Sequence, residues 1–313
     1  MAATTKPKAA EAGCGISVAA PASFARAERT ERGLAALQAF GFAPRMTANA
    51  ARRGPLYFAG APDERLADLH AAFADRTTSA VMALRGGYGS NYLLAGLDLA
   101  AIGAHAKPFL AYSDLTGVQL HLLDRLGLPA FHGPMLAADF YRDDGVHAES
   151  FRAALAGEPY TLGAAEGLRM LKPGAHKAVR GTLYGGCLSI LVSLLGTRWE
   201  PATEGKLLFI EDTGAKPYQI DRMLWQLRAA GKLAGVRGIV FGEMLDCGQP
   251  GEESNLLPRA ILSALDGLEV PMAIGLRSGH VSRQNVTLTF GVEAELAVGE
   301  ETRLSLTEAA VAK

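Results

Sequence analysis

PFLAYSDLTGVQLHLLDRLG, residues 108–127, runs an apolar stretch of strand character into a serine and then directly into a helix pattern. A strand-to-helix turn exposes its central side chain. Ser113 would therefore stand on a tight bend with its Oγ in a cleft, and the N–H groups at the helix N-terminus would face any oxyanion formed beside it. Serine is also a frequent helix N-cap, the commoner role for such a residue, and this segment alone fits both readings. The spacing is not the G-x-S-x-G of α/β-hydrolases, because Ala111 and Leu115 stand where the glycines would be.

Outward from this stretch, short apolar runs alternate with helical patterns. GISVAAP (15–21) precedes an Ala- and Leu-rich segment reaching about residue 40, and LYFAG (56–60) is followed by a helix pattern in PDERLADLHAAFAD (62–75) and by SAVMALRGG (79–87). Such alternation predicts an α/β fold with a parallel sheet flanked by helices. Residues 157–178, with Gly157, Pro159, Gly163, Gly167, Pro173 and Gly174, have the composition of a linker. Beyond it GTLYGG (181–186), KLLFIED (206–212) and VRGIVFGEM (236–244) read as strands with helices between them, and VTLTFG, AELAV and RLSL as short antiparallel strands. The expected organisation is a disordered leader over 1–13, an N-terminal α/β domain over 14–156, a linker over 157–178, a C-terminal mixed α/β domain over 179–308 and a tail over 309–313.

The 313 residues are 49% hydrophobic and 20% charged, enough for two moderate cores or one large one. With 31 Lys and Arg against 32 Asp and Glu, neither nucleic acid nor an anionic membrane surface is an expected partner, and a peptide or other small substrate fits better. Cys14, Cys187 and Cys247 are widely spaced, with neither a disulfide framework nor paired metal ligands, which points to a reducing compartment. The first residues never build the apolar core of roughly 7–15 residues that a signal peptide needs. No run approaches the roughly 18 or more apolar residues of a membrane span. A cytoplasmic protein is expected.

Three further stretches carry chemistry. Arg85-Gly86-Gly87-Tyr88-Gly89-Ser90 closes an apolar strand, and its glycines let backbone amides turn toward a ligand, although glycine turns are commonly no more than turns. It is not a dinucleotide fingerprint, since position 92 is Tyr. LLFIEDTG (207–214) ends a strand in Glu211 and Asp212, where a carboxylate can orient a histidine or cap a helix, a role that suits Asp212 better. GLRSGHV (275–281) puts His280 in a glycine- and serine-containing loop between predicted strands, its ring free to reach a cleft. Among the other six histidines, His132 in Phe131-His132-Gly133-Pro134 is the strongest rival. No histidine pair has metal-ligand spacing and no cysteine pair assists, so a zinc hydrolase is disfavoured.

In order and wording these stretches resemble the LD-carboxypeptidase family of serine peptidases from about residue 15 to 300. The likeness rests on Ala20-Pro21, Arg85 to Gly89, Tyr112-Ser113-Asp114, His132-Gly133-Pro134, Gly185-Gly186, Leu195-Gly196-Thr197, Phe209 to Asp212, Tyr218 to Arg222, Gly238 to Gly242 and Gly279-His280. The resemblance implies a Ser-His-Glu triad of Ser113, His280 and Glu211 in a site between two domains, a scheme into which no metal and no organic cofactor enters. The candidate oxyanion donors are the backbone N–H groups of Gly87 and Asp114. It also implies a class I glutamine-amidotransferase-like N-terminal domain, a C-terminal domain with a small barrel-like sheet, homodimers as a common family state, and release of terminal D-alanine from a murein tetrapeptide. A related branch of the superfamily cleaves peptidyl-nucleotide antibiotics, and a silent peptide-binding module is the reading from another class. An exopeptidase must bind a free carboxylate, for which Arg85 and Arg277 are the expected cations. Three departures bear on specificity: Cys187 where the family often has Asn, Ala215 where it often has a second acid, and Leu276-Arg277-Ser278 where it often has Pro-x before Gly-His.

Overall fold

The structure is a computed structural model that describes residues 5–248 and 255–312. In chain order the elements are β1 (Gly15–Ala19), α1 (Ala27–Ala39), β2 (Ala43–Met46), α2 (Pro62–Ala74), β3 (Ala80–Ala83), α3 (Leu99–Ala104), β4 (Phe109–Ala111), α4 (Thr116–Leu126), β5 (Ala130–His132), α5 (Ala148–Ala156) and β6 (Tyr160–Leu162). There follow β7 (Arg169–Lys172), β8 (Ala178–Cys187), α6 (Leu188–Ser193), β9 (Lys206–Glu211), α7 (Pro217–Ala229), β10 (Gly238–Gly242), α8 (Leu256–Ala264), β11 (Met272–Leu276), β12 (Leu288–Phe290), β13 (Glu293–Ala297) and β14 (Arg303–Leu306). The chain divides into two compact units, one of residues 1–158, 283–291 and 309–313, the other of 159–282 and 292–308.

The first unit carries a six-stranded sheet in the order β12-β5-β4-β3-β1-β2. Its first five strands in sequence run parallel, and β12 lies antiparallel on the edge against β5. β1, β3, β4 and β5 are buried along their whole lengths, the signature of parallel strands covered on both faces. Helix α2 buries Arg65, Asp68, Leu69, Ala72 and Phe73, a stripe at helical spacing. Helix α4 stops at Gly127, whose φ of 63° only glycine adopts readily, with Pro129 just beyond.

In the second unit an open eight-stranded mixed sheet runs β6-β14-β13-β8-β9-β10-β11-β7. The sequence reading expected a small barrel-like sheet, but β6 and β7 stand at opposite edges and nothing among the described residues closes them into a barrel. Parallel pairing joins β8, β9, β10 and β11, and the flanking strands are antiparallel.

Other expectations shift with long-range pairing that local composition does not reveal. The stretch read as a linker over 157–178 supplies both edge strands, β6 and β7, of the second sheet. LYFAG is not a strand: Phe58 makes only an isolated bridge to Ser23, and Leu56 sits at φ 55° with its side chain 75% exposed. Of the leader read over 1–13, residues 1–4 lie outside the described residues. The remainder is ordered, with Lys8 bridging Ala312 and the Ala10 N–H donating to Leu155 O at 3.0 Å. Of the tail, Ala310 and Val311 are buried, and Lys313 lies outside the described residues. No helix among the described residues is long and apolar enough to cross a membrane.

Segment 283–291 is tied to the first unit by a buried acid. Asp139 accepts from Met135 N at 2.9 Å, Asn285 Nδ2 at 3.2 Å and Tyr112 Oη at 3.4 Å. Its complete burial pushes its carboxyl from 3.8 up to about 6. Folding therefore favours the protonated acid, so this contribution is full below the unfolded value and is lost as pH rises to about 6. Equilibrium urea unfolding at pH 4 and pH 7 should show a wild-type loss across that window larger than that of Asp139→Asn, by about 2 kcal/mol. Equal losses would show that Asp139 is ionised throughout.

Candidate active site

In the first unit the chain leaves β4 through Tyr112, extended at φ −159°, and enters α4 through Thr116 at φ −49°. Between them Ser113 adopts φ 63°, a left-handed conformation that costs a non-glycine residue on the order of 1–2 kcal/mol. From Lys107 to Leu120 every residue is buried except Ser113. The bend is braced from the glycine loop. Ser90 N donates to Asp114 Oδ2 at 2.8 Å, and Ser90 Oγ donates to the Asp114 carbonyl at 2.6 Å. Burial pushes the Asp114 carboxyl up, partly offset by those Ser90 hydrogen bonds.

Gly86 faces the serine so closely that a Cβ there would lie 2.9 Å from Ser113 Cβ, 3.1 Å from Ser113 Oγ and 3.5 Å from Asp114 N. Gly87 and Gly89 turn the loop with φ of 111° and 118°. Among the described residues, neither the Gly87 nor the Asp114 N–H donates to a backbone or side-chain acceptor. The loop is held from beneath by Arg65, 2% exposed, which donates to Pro21 O at 2.6 Å, Gly89 O at 2.8 Å and Gly60 O at 3.1 Å. Sequence reasoning missed Arg65. Its position on the buried stripe of α2, where an apolar residue is expected, was the available signal.

His132 is wholly buried in β5, its ring packed 5.8 Å from that of Tyr112 and 5.2 Å from that of Phe290, beneath the serine bend. Arg85 is half-buried and donates to Phe24 O at 3.4 Å, with burial and then the nearby Arg29 lowering its pKa.

In the second unit Glu211 ends β9, fully buried. Its Oε2 accepts from the His280 ring Nδ1 at 2.8 Å and from the His280 backbone N–H at 3.1 Å. Two glycines make the room: a Cβ on Gly242 would lie 2.7 Å from Glu211 Cβ, and one on Gly279, at φ 89°, 2.6 Å from Glu211 Cδ. His280 is the one residue of the run 271–281 that is not buried, with 22% of its side chain exposed.

Asp212 does the capping that its type suggested, but for the preceding helix: its Oδ2 accepts from Ser189 N in the first turn of α6 at 2.8 Å, and its Oδ1 from Thr213 N at 2.8 Å. Arg277 is 8% exposed and donates to Ala165 O at 2.6 Å, bracing the turn before β7. Opposite Glu211 in the β8–β9 register stands Cys187. Burial, and then the charges of Glu211 and Asp212, push its thiol well above the usual value.

A serine on a left-handed strand-to-helix bend in one unit, and a histidine oriented by a buried carboxylate in the other, are residue types that serine hydrolases use. The sequence matches the LD-carboxypeptidase N-terminal domain over residues 16–133 and the LD-carboxypeptidase C-terminal domain over residues 180–296. A probable murein peptide carboxypeptidase of Bacillus subtilis is 36% identical over 301 residues, 95% of this chain and 93% of its own length. Among solved structures, the muramoyltetrapeptide carboxypeptidase of Oxalobacter formigenes superposes with a TM-score of 0.82 at 28% identity, covering 94% of this chain and 99% of that one. The microcin C7 self-immunity protein MccF, at TM-score 0.89 and 24% identity over 98% of this chain and 99% of that one, shares the fold. The chain belongs to the LD-carboxypeptidase family.

The closeness of Gly86 to the serine is directly testable. Gly86→Ala should leave the fold intact and lower the hydrolytic kcat by about 100-fold, because a displacement of under an ångström misaligns the attack. Wild-type kcat in a folded Gly86→Ala protein would mean that this contact does not set the serine.

Proposed function

We propose that this protein is a serine carboxypeptidase that hydrolyses the L,D-amide bond of murein tetrapeptides and releases the terminal D-alanine, with Ser113 as nucleophile, His280 as general base and Glu211 orienting the imidazole. The observation that carries the reading is the Glu211–His280 pair. Nδ1–H donating to a buried carboxylate leaves the Nε2 lone pair to accept a proton, and the carboxylate stabilises the imidazolium that results.

Ser113 Oγ attacks the amide carbon as His280 Nε2 takes the hydroxyl proton. The negative oxygen is received by the Gly87 and Asp114 N–H groups. His280 then gives its proton to the departing D-alanine amine as the C–N bond breaks, leaving an acyl-enzyme on Ser113. Water, deprotonated by the same ring, cleaves the ester and regenerates the serine. Each proton lent to His280 is returned within its half-reaction.

The murein peptide named for the B. subtilis relative and the muramoyltetrapeptide named for the O. formigenes structure support the substrate class. For the terminal carboxylate we favour Arg85, which flanks the glycine loop beside the serine, over the more deeply buried Arg277. A cytoplasmic setting suits three cysteines that carry no disulfide.

Incubation with a murein tetrapeptide in EDTA, followed by mass spectrometry, should show D-alanine release by wild type. Release should fall by about 10⁴-fold or more in Ser113→Ala, His280→Ala and Glu211→Gln. Arg85→Ala should raise KM by about tenfold or more with a smaller effect on kcat. Inert tetrapeptide with hydrolysis of a peptidyl-nucleotide would move the substrate to the antibiotic-cleaving branch. Turnover of neither substrate would leave a peptide-binding module.

A further inference from the structure

The second unit gathers a thiol, an imidazole and a carboxylate at one point. Gly185 and Gly186, at φ 137° and 138°, let β8 approach β9 so closely that a Cβ on Gly185 would lie 1.9 Å from Phe209 O. That approach sets Cys187 directly opposite Glu211. Ligand atoms of Cys187, Glu211 and His280 all fall within 4.8 Å of one another. The family resemblance offers no counterpart for the sulfur, since an amide often stands at this position.

We propose that Cys187, Glu211 and His280 form an inhibitory site for a thiophilic divalent cation, Zn²⁺ above all. Ligand atoms around a tetrahedral zinc, with bonds of about 2.0–2.3 Å, sit about 3.3–3.6 Å apart. The cluster reaches that spacing with side-chain adjustments of about an ångström, the His280–Glu211 pair opening and the thiol drawing in. Thiolate with imidazole and carboxylate is a donor set that zinc favours over the harder cations magnesium and calcium. The partly exposed His280 gives a way in and leaves the fourth position to water.

Binding displaces the thiol proton to solvent and forms one Zn–S, one Zn–N and one Zn–O bond, with no change of oxidation state. Zinc on Nε2 occupies the lone pair that the base needs. On Nδ1 it displaces the hydrogen bond that orients the ring, and the Nδ1 proton moves to Nε2 as the imidazole changes tautomer, which fills the lone pair that the base needs. Either way the histidine stops accepting the serine proton. The loss of activity rests on the function proposed above, whereas the binding site itself does not.

Two readouts separate the two. Co²⁺ added to metal-free wild-type protein should produce a near-ultraviolet thiolate-to-cobalt charge-transfer band, abolished in Cys187→Ser and kept in Cys14→Ser and Cys247→Ser, whatever the protein hydrolyses. In peptidase assays, with each protein normalised to its own rate in EDTA, zinc should inhibit wild type reversibly, and Cys187→Ser or Cys187→Ala should need about 100-fold more zinc for the same inhibition. A missing band, a band that survives Cys187→Ser, equal zinc sensitivity in the Cys187 variants, or activation by zinc would each overturn the proposal. Should the Cys187 variants fail to fold, persistence of the cobalt band in His280→Ala at unchanged affinity would overturn it instead.

Discussion

A single non-glycine residue held in left-handed backbone organises the first unit. Ser113 at φ 63° lets a buried strand turn directly into a buried helix, and it is the one side chain in that passage left partly exposed. Its strain, on the order of 1–2 kcal/mol, is offset by the hydrogen bonds from Ser90 to Asp114, each worth about 1 kcal/mol or more. Those bonds work only because the glycine loop lies against the bend, with Gly86 leaving the space that any larger residue would take from the serine. Arg65, donating three hydrogen bonds to backbone carbonyls, fixes the loop in turn.

The second unit solves a different problem, that of burying an acid. A carboxylate sealed from water costs several kcal/mol unless hydrogen bonds compensate it. Glu211 receives two from His280, ring and backbone, through a loop that can close on it because Gly279 carries no Cβ. The packing that orients the imidazole thus depends on small residues around it, and Gly185 and Gly186 extend the same logic to bring a sulfur alongside.

Where strand, bend and helix are consecutive, the sequence shows them well: β3, β4, α4 and β9 lie within the apolar runs read for them, because burial on both faces writes itself into local composition. Ser113 and Glu211 were visible as polar residues ending such runs, and His280 as a histidine in a glycine- and serine-containing loop. Less legible was anything settled by pairing across the chain. Residues 157–178 carry linker-like glycines and prolines, yet supply two edge strands whose partners lie a hundred residues or more away in sequence. β12 joins the first sheet although its neighbours in sequence belong to the second. Arg65 and Arg277 share a different difficulty: a buried cation satisfied by carbonyls cannot be told from a surface cation by residue type, although the helical stripe of α2 gave the first one away.

The claim at the centre is that the strained serine is the nucleophile and that His280 activates it. Reaction with a serine-directed fluorophosphonate, followed by peptide mass mapping, tests this most directly. The account predicts one adduct on Ser113, formed by wild type, absent from Ser113→Ala and slowed by orders of magnitude in His280→Ala. An adduct on another residue, or labelling of Ser113 that proceeds undiminished without His280, would contradict it.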